Sequence, residues 1–113
     1  MLKKYNRLAK TKDIDSVFKY GKNNFSNFLG AKILDNQLVF NRFAVVVGTK
    51  ISKKAVVRNK IKRQIREIIK QEQPDFKTGK DIIILTLPAI FNKKFADIRE
   101  DLIKVFKKAR LYK

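Results

Sequence analysis

Residues 55–72 read AVVRNKIKRQIREIIKQE. At about 100° per residue, an α-helix gathers Val57, Ile61, Ile65, Ile68 and Ile69 into an arc of roughly 120°. That stripe predicts a helix lying on a sheet. Next around the cylinder come Arg58, Lys62, Arg66, Asn59, Lys70 and Arg63, over about another 140°. Every member of this second arc is basic except Asn59, and Glu67 lies beyond its far edge. Arg58, Lys62 and Arg66 stack at i, i+4, i+8, where like charges cost roughly 0.2–0.5 kcal/mol per pair. An ordinary solvated face intersperses acids to avoid that cost. Sorting the acids away points to a face that meets a polyanion.

KISKK at 50–54 adds Lys50, Lys53 and Lys54 just before the helix. The free backbone N–H groups of a helix start attract anions, and these lysines would surround them. Arg forks onto two phosphate oxygens, whereas Lys acts as a point charge. Asn59 suits a base edge or a ribose hydroxyl, or the bracing of the preceding loop.

Upstream, residues 1–10 are polar and basic and are expected to run extended. TKDIDSVFKYG (11–21) reads as a helix capped by Thr11 or Asp13, with Ile14, Val17 and Phe18 at helical spacing and Gly21 as its stop. FLGAKIL (28–34) alternates like a strand, with Leu29, Ala31 and Ile33 on one side and Phe28, Gly30 and Lys32 on the other. DNQ (35–37) is turn material. FAVVVGT (43–49) reads as a central strand. Phe43, Val45 and Val47 face the core, and Arg42, Ala44 and Val46 share the other face. Residues 38–41 fit either a short strand of their own or an extension of that one.

Downstream, Pro74 and Gly79 break the helix. IIILTL (82–87) is a continuous apolar run, the mark of a strand buried on both faces. Residues 92–111 form an amphipathic helix with Phe95, Ile98, Leu102, Val105, Phe106 and Ala109 inward. The order is α, two or three strands, α, β, α. The expected fold is α+β: a single domain over 1–113, with one small sheet and helices packed on it.

Composition narrows the function. The 113 residues carry 28 Lys+Arg against 10 Asp+Glu, a net charge of +18, which favours a polyanionic partner. There is no Cys or His, so thiolate chemistry, disulfides and Cys/His zinc sites are excluded. No apolar run approaches the roughly 20 residues that span a bilayer. The basic start has no apolar stretch behind it. A cytoplasmic protein with no membrane role is expected. Asp97, Glu100 and Asp101 are the only acidic cluster, and their i, i+4 neighbours suit ion pairs better than a metal pair. No catalytic or metal-ligating residue is assigned.

The residues GTKISKKAVVRNKIKRQIRE (48–67) closely resemble the signature of the bacterial ribonuclease P protein subunit family. The family pattern is Arg-Asn-Arg, an apolar residue, Lys-Arg, then Arg-Glu two residues later. Here it reads Arg58-Asn59-Lys60, Ile61, Lys62-Arg63 and Arg66-Glu67. The opening LKKYNRLAKTKDIDSVFKYGK, DIIILTLPA and the closing FKKARLYK also fit. Lys60 replaces the usual Arg, Lys53 stands where Gly is common, and Ile14 and Lys32 stand where the family often has Phe and Tyr.

The resemblance implies a subunit of an endoribonuclease that removes the 5′ leader of precursor tRNA. The chemistry is in a catalytic RNA, with Mg2+ held mainly by that RNA and none by the protein alone. It implies about four strands in a mixed sheet and a left-handed β-α-β crossover, against the usual right-handed preference. The catalytic RNA would lie on Lys50, Lys53, Lys54, Arg58, Asn59, Lys60, Lys62, Arg63, Arg66 and Lys70. A cleft holding the single-stranded leader would use Phe18, Lys22, Phe28, Lys32, Arg42, Ala44 and Val46. The free protein is expected to be monomeric. Two other readings remain open at this point. One is a ribosomal or ribosome-assembly RNA-binding protein. The other is a DNA-binding module, which the lack of a preceding helix and short turn disfavours.

Overall fold

The computed structural model describes residues 3–113; Met1 and Leu2, part of the expected extended start, lie outside the described residues. Helix α1 (Thr11–Tyr20) leads into strands β1 (Lys22–Phe25), β2 (Leu29–Asp35) and β3 (Arg42–Val46). Helix α2 (Ala55–Glu72) connects β3 to β4 (Lys80–Thr86), and α3 (Phe95–Lys108) follows. The expected α+β order holds, with one exchange. The extra strand is Lys22–Phe25, and residues 38–41 form a turn. There the Asn36 Oδ1 accepts the Leu38 N–H at 2.8 Å and Gln37 takes φ 60, so turn chemistry runs past residue 37. β3 stops at Val46, short of the expected 49, and α3 lies inside the expected 92–111.

The sheet order is β1-β2-β4-β3, antiparallel except for the parallel pair β3 and β4. Parallel neighbours need a crossover connection, and α2 supplies it. β4 lies inside the sheet, which explains its unbroken apolar run. Ile82 and Ile84 join a cluster with Ile61, Ile65, Ile68 and Ile69 of α2 and Ile98, Leu102 and Phe106 of α3. Ile83 points to the opposite face, where it packs with Val17 and Ile14 of α1, Leu8, Leu34, Ala44 and Leu85.

The N-terminal segment is not simply extended. Lys4–Asn6 form a single 3₁₀ turn, and Arg7 bridges to Phe43. The Leu8 N–H donates to the Phe43 carbonyl at 2.8 Å, which brings the buried Leu8 under α1.

Neither Thr11 nor Asp13 caps α1; Lys10 takes the cap position with no side-chain bond. Asp13 instead accepts from Arg42 Nη1 at 3.1 Å. Arg42 also forks onto Asp81, Nε to Oδ1 at 2.8 Å and Nη2 to Oδ2 at 2.7 Å. The Asp81 hydrogen bonds raise the Arg42 pKa above its ordinary value, outweighing partial burial. This clamp ties α1 to β3 and β4. Gly21 ends α1 at φ −68, so a left-handed turn is not what requires glycine. A Cβ there would lie 2.5 Å from the Val17 carbonyl oxygen and 3.3 Å from the Ile33 backbone. Glycine is needed first because a side chain would strike the carbonyl of the helix's own last turn, and second because the β2 backbone lies close beside it.

Asp101 shows what the acidic cluster does. Buried in α3, it accepts from Ser26 Oγ at 2.6 Å, Phe28 N at 2.8 Å and Asn27 N at 3.1 Å. It fastens the β1–β2 turn to α3. Removing a charged acceptor from three donors costs about 3 kcal/mol. Asp101→Ala should lower the urea midpoint accordingly with an unchanged slope. A midpoint equal to that of the parent would contradict this account of the turn.

Candidate nucleic-acid interface

Helix α2 has the two sides its spacing predicted. Ile61, Ile65, Ile68 and Ile69 are buried and Val57 packs beside them. Asn59, Arg63, Arg66 and Lys70 are exposed, and Arg58 and Lys62 are half-buried. Among the described residues, no acid comes within ion-pair distance of Arg58, Lys62, Arg63, Arg66 or Lys70. The first turn holds no acid and Lys54, at the cap position, makes no side-chain cap. Lys50, Lys53 and Lys54 are exposed around that helix start.

Arg58 rather than Asn59 braces the preceding loop: its Nη1 donates to the Ser52 carbonyl at 3.0 Å. Lys60 departs from the arc. It turns to the other flank of the helix and lines a different groove, with Gln64 and Phe91.

Cross-strand pairing orders the sheet face under α1 into rows. One row is Asn23, Lys32, Ile83 and Ala44; the next is Phe25, Gly30, Leu85 and Val46. Val17 covers Ile83 in the first row. The second row is open: Phe25 is 41% exposed and Val46 43%. Phe18, 44% exposed, overlooks this surface. The Lys32 Nζ sits 5.8 Å from the Phe18 ring centroid and donates to Asn23 Oδ1 at 2.7 Å. Aromatic faces beside a cation suit unpaired bases, which stack at about 1–3 kcal/mol each. At the β3 edge, a groove of about 340 Å3 is lined by Ala44, Leu8 and Arg66, among others, and so joins this face to the cationic arc.

The expected cleft set is corrected in three places. Lys22 pairs with Ile33, on the α2/α3 side of the sheet. Phe28 precedes β2 and packs on the larger core, with the Lys93 Nζ 4.9 Å from its ring centroid. Its strand alternation fails because the chain bends at Asp101. Arg42 lies on the α1 side, but its guanidinium is held by Asp81 and Asp13 and is not a free cation. Phe25, absent from the expected set, lies on this open row. KNNF has one apolar residue, so the strand left no alternation, and only the pairing places Phe25 over Gly30.

Tyr112 is no candidate for proton transfer. Burial pushes its pKa up, and its hydroxyl donates to Glu72 Oε1 at 2.8 Å.

The model of the family described as Ribonuclease P matches residues 2–110. A ribonuclease P protein component from Synechocystis is 38% identical over 104 residues, covering 91% of this chain and 84% of that protein. One from Syntrophomonas wolfei is 35% identical over 112 residues, covering 99% and 93%. The solved Staphylococcus aureus RNase P protein superposes with a TM-score of 0.88 at 28% identity, covering 96% and 98% of the two chains. The Thermotoga maritima RNase P protein gives 0.82 at 28% identity, covering 90% and 96%.

A Cβ on Gly30 would lie 2.2 Å from Phe25 Cδ1. Gly30→Ala should therefore swing the Phe25 ring off the open row while the fold persists, moving the Phe25 ring resonances in an NMR spectrum. Unshifted resonances would show that the ring does not rest on Gly30.

Proposed function

This chain belongs to the ribonuclease P protein family, a subunit of the endoribonuclease that matures tRNA 5′ ends, and we propose how its two surfaces divide the work. The outer face of α2 with the 50–54 loop docks the catalytic RNA. The open sheet face beside α1 holds the 5′ leader of precursor tRNA.

The carrying observation is that the α2 cations have no acidic partner among the described residues, while Arg42, Lys80, Arg99 and Lys104 are all ion-paired. Phosphate contacts need the first kind. Lys50, Lys53, Lys54 and Asn59 extend that surface, while Lys60 lies on the other flank of α2. Phe18, Lys32, Ala44 and Val46, joined by Phe25, form the leader path: stacking faces, one cation and a small-residue floor.

Mg2+ belongs to the RNA in this reading. The buried member of the chain's one acidic cluster, Asp101, is occupied by three hydrogen bonds. Among the described residues, no three His, Cys, Asp or Glu group so as to hold a metal. When bound, Mg2+ would activate water and stabilise the leaving oxygen. The protein's part is to supply positive charge and position strands. The same net charge makes free copies repel one another, which favours a monomer. We place the chain in the cytoplasm with its RNAs. Among the described residues, no helix is long and apolar enough to cross a membrane.

Reconstitution with a bacterial catalytic RNA tests this. At low Mg2+ the chain should stimulate precursor-tRNA cleavage; no stimulation would contradict the reading. With six to ten phosphate contacts, affinity should fall roughly 10³- to 10⁵-fold between about 50 and 200 mM salt. Arg66→Ala should weaken catalytic-RNA binding and reduce that salt slope by about one contact, with the thermal midpoint unchanged. Normal binding by this variant would remove α2 from the interface.

A further inference from the structure

One groove on the molecule belongs neither to the cationic arc nor to the leader surface. It has a volume of about 480 Å3, within the roughly 300–1,000 Å3 common for ligand clefts. It runs between the far flank of α2 and the segment joining β4 to α3, lined by Lys60, Gln64, Phe91, Asn92, Lys93 and Lys94 together with apolar neighbours. Its lining contains no acid, and among the described residues none of its three lysines is ion-paired. The nearest acid along α3, Asp97, belongs to a separate hollow with Asn27 and Glu100. Phe91 is 49% exposed, beside Asn92 at φ 63. Lys93 lies against Phe28, which fixes one wall.

An exposed aromatic ring among unpaired lysines, with two side-chain amides at hand, has the chemistry of a single-stranded nucleotide site. The base stacks on the ring, phosphates meet the ammonium groups, and the amides reach base edges. The occupant follows from position. The groove lies across α2 from the β3-edge passage to the leader surface, so the leader path does not lead to it. An RNA docked on the outer face of α2 reaches it by continuing around the helix from Arg63 to Lys60, about 60° further; the one acid in that sweep, the exposed Glu67, lies about two turns along the helix from Lys60.

We propose that this groove binds an unpaired segment of the catalytic RNA, with Phe91 as the stacking platform and Lys60 and Lys94 as phosphate contacts. The proposal rests on the reading of the chain as the ribonuclease P subunit and adds a separate contact to it.

Equilibrium binding of catalytic RNA tests it with Phe91→Ala, Phe91→Leu, Phe91→Tyr and the pair Lys60→Gln, Lys94→Gln, beside Arg66→Ala. Phe91→Ala and Phe91→Leu should weaken binding roughly five-fold or more, and Phe91→Tyr should retain it. Each lysine variant should reduce the salt slope by about 0.7. The gain in affinity from adding a 5′ leader to precursor tRNA should stay that of the parent. Should the alanine variant fold poorly, the leucine variant carries the test, since it keeps apolar bulk without a flat ring. The proposal is overturned if the leucine and lysine variants bind catalytic RNA normally. It is also overturned if their defect appears only as a lost leader effect. If Arg66→Ala weakens binding while the groove variants do not, the groove falls and the subunit reading stands.

Discussion

The packing of four isoleucines of α2 onto the β3–β4 pair is the constraint on which the rest depends. The parallel pairing of those strands demands a crossover, and Ile61, Ile65, Ile68 and Ile69 hold that crossover helix against the sheet. Burying such side chains contributes about 1.5–3 kcal/mol each, an upper estimate given a compact unfolded state. The three like-charge i, i+4 pairs from Arg58 to Lys70 cost about 1 kcal/mol together. Burial outweighs repulsion several-fold, so the helix carries an acid-free cationic flank without unfolding. The sheet dictates which way the cations point.

The opposite sheet face depends on a different device. Arg42, held by Asp81 and Asp13, anchors α1 across one end of the sheet and leaves the row of Phe25, Gly30, Leu85 and Val46 uncovered at the other. Glycine serves this arrangement twice. Gly21 lets the chain leave α1 close over the Val17 carbonyl and beside β2, and Gly30 lets an aromatic ring lie on the sheet. The proposed leader path is thus built from backbone proximity as much as from side-chain type.

Helix α2 was legible in the sequence because helical periodicity is local: its buried and exposed sides follow from 18 consecutive residues. The buried strand β4 was legible for the same reason. β1 was not, since KNNF gains its strand identity from pairing with β2. The face of Lys22 depended on that pairing, and the place of Phe28 on a turn held by a residue 73 positions away. Arg42 read as a cleft cation because its partners, 29 and 39 residues distant, leave no mark in the neighbouring sequence. The family signature supplied a function that net charge alone left shared among several RNA- or DNA-binding roles.

The absence of cysteine from this chain permits the most direct test of the proposed division of labour. Single variants Arg63→Cys, on the outer face of α2, and Val46→Cys, on the open row, would each carry a tethered iron chelate that cleaves nearby RNA in the assembled enzyme with precursor tRNA. The label at position 63 should cut the catalytic RNA, and the label at position 46 should cut the 5′ leader. Leader cleavage from position 63, or none from position 46, would contradict that division of labour.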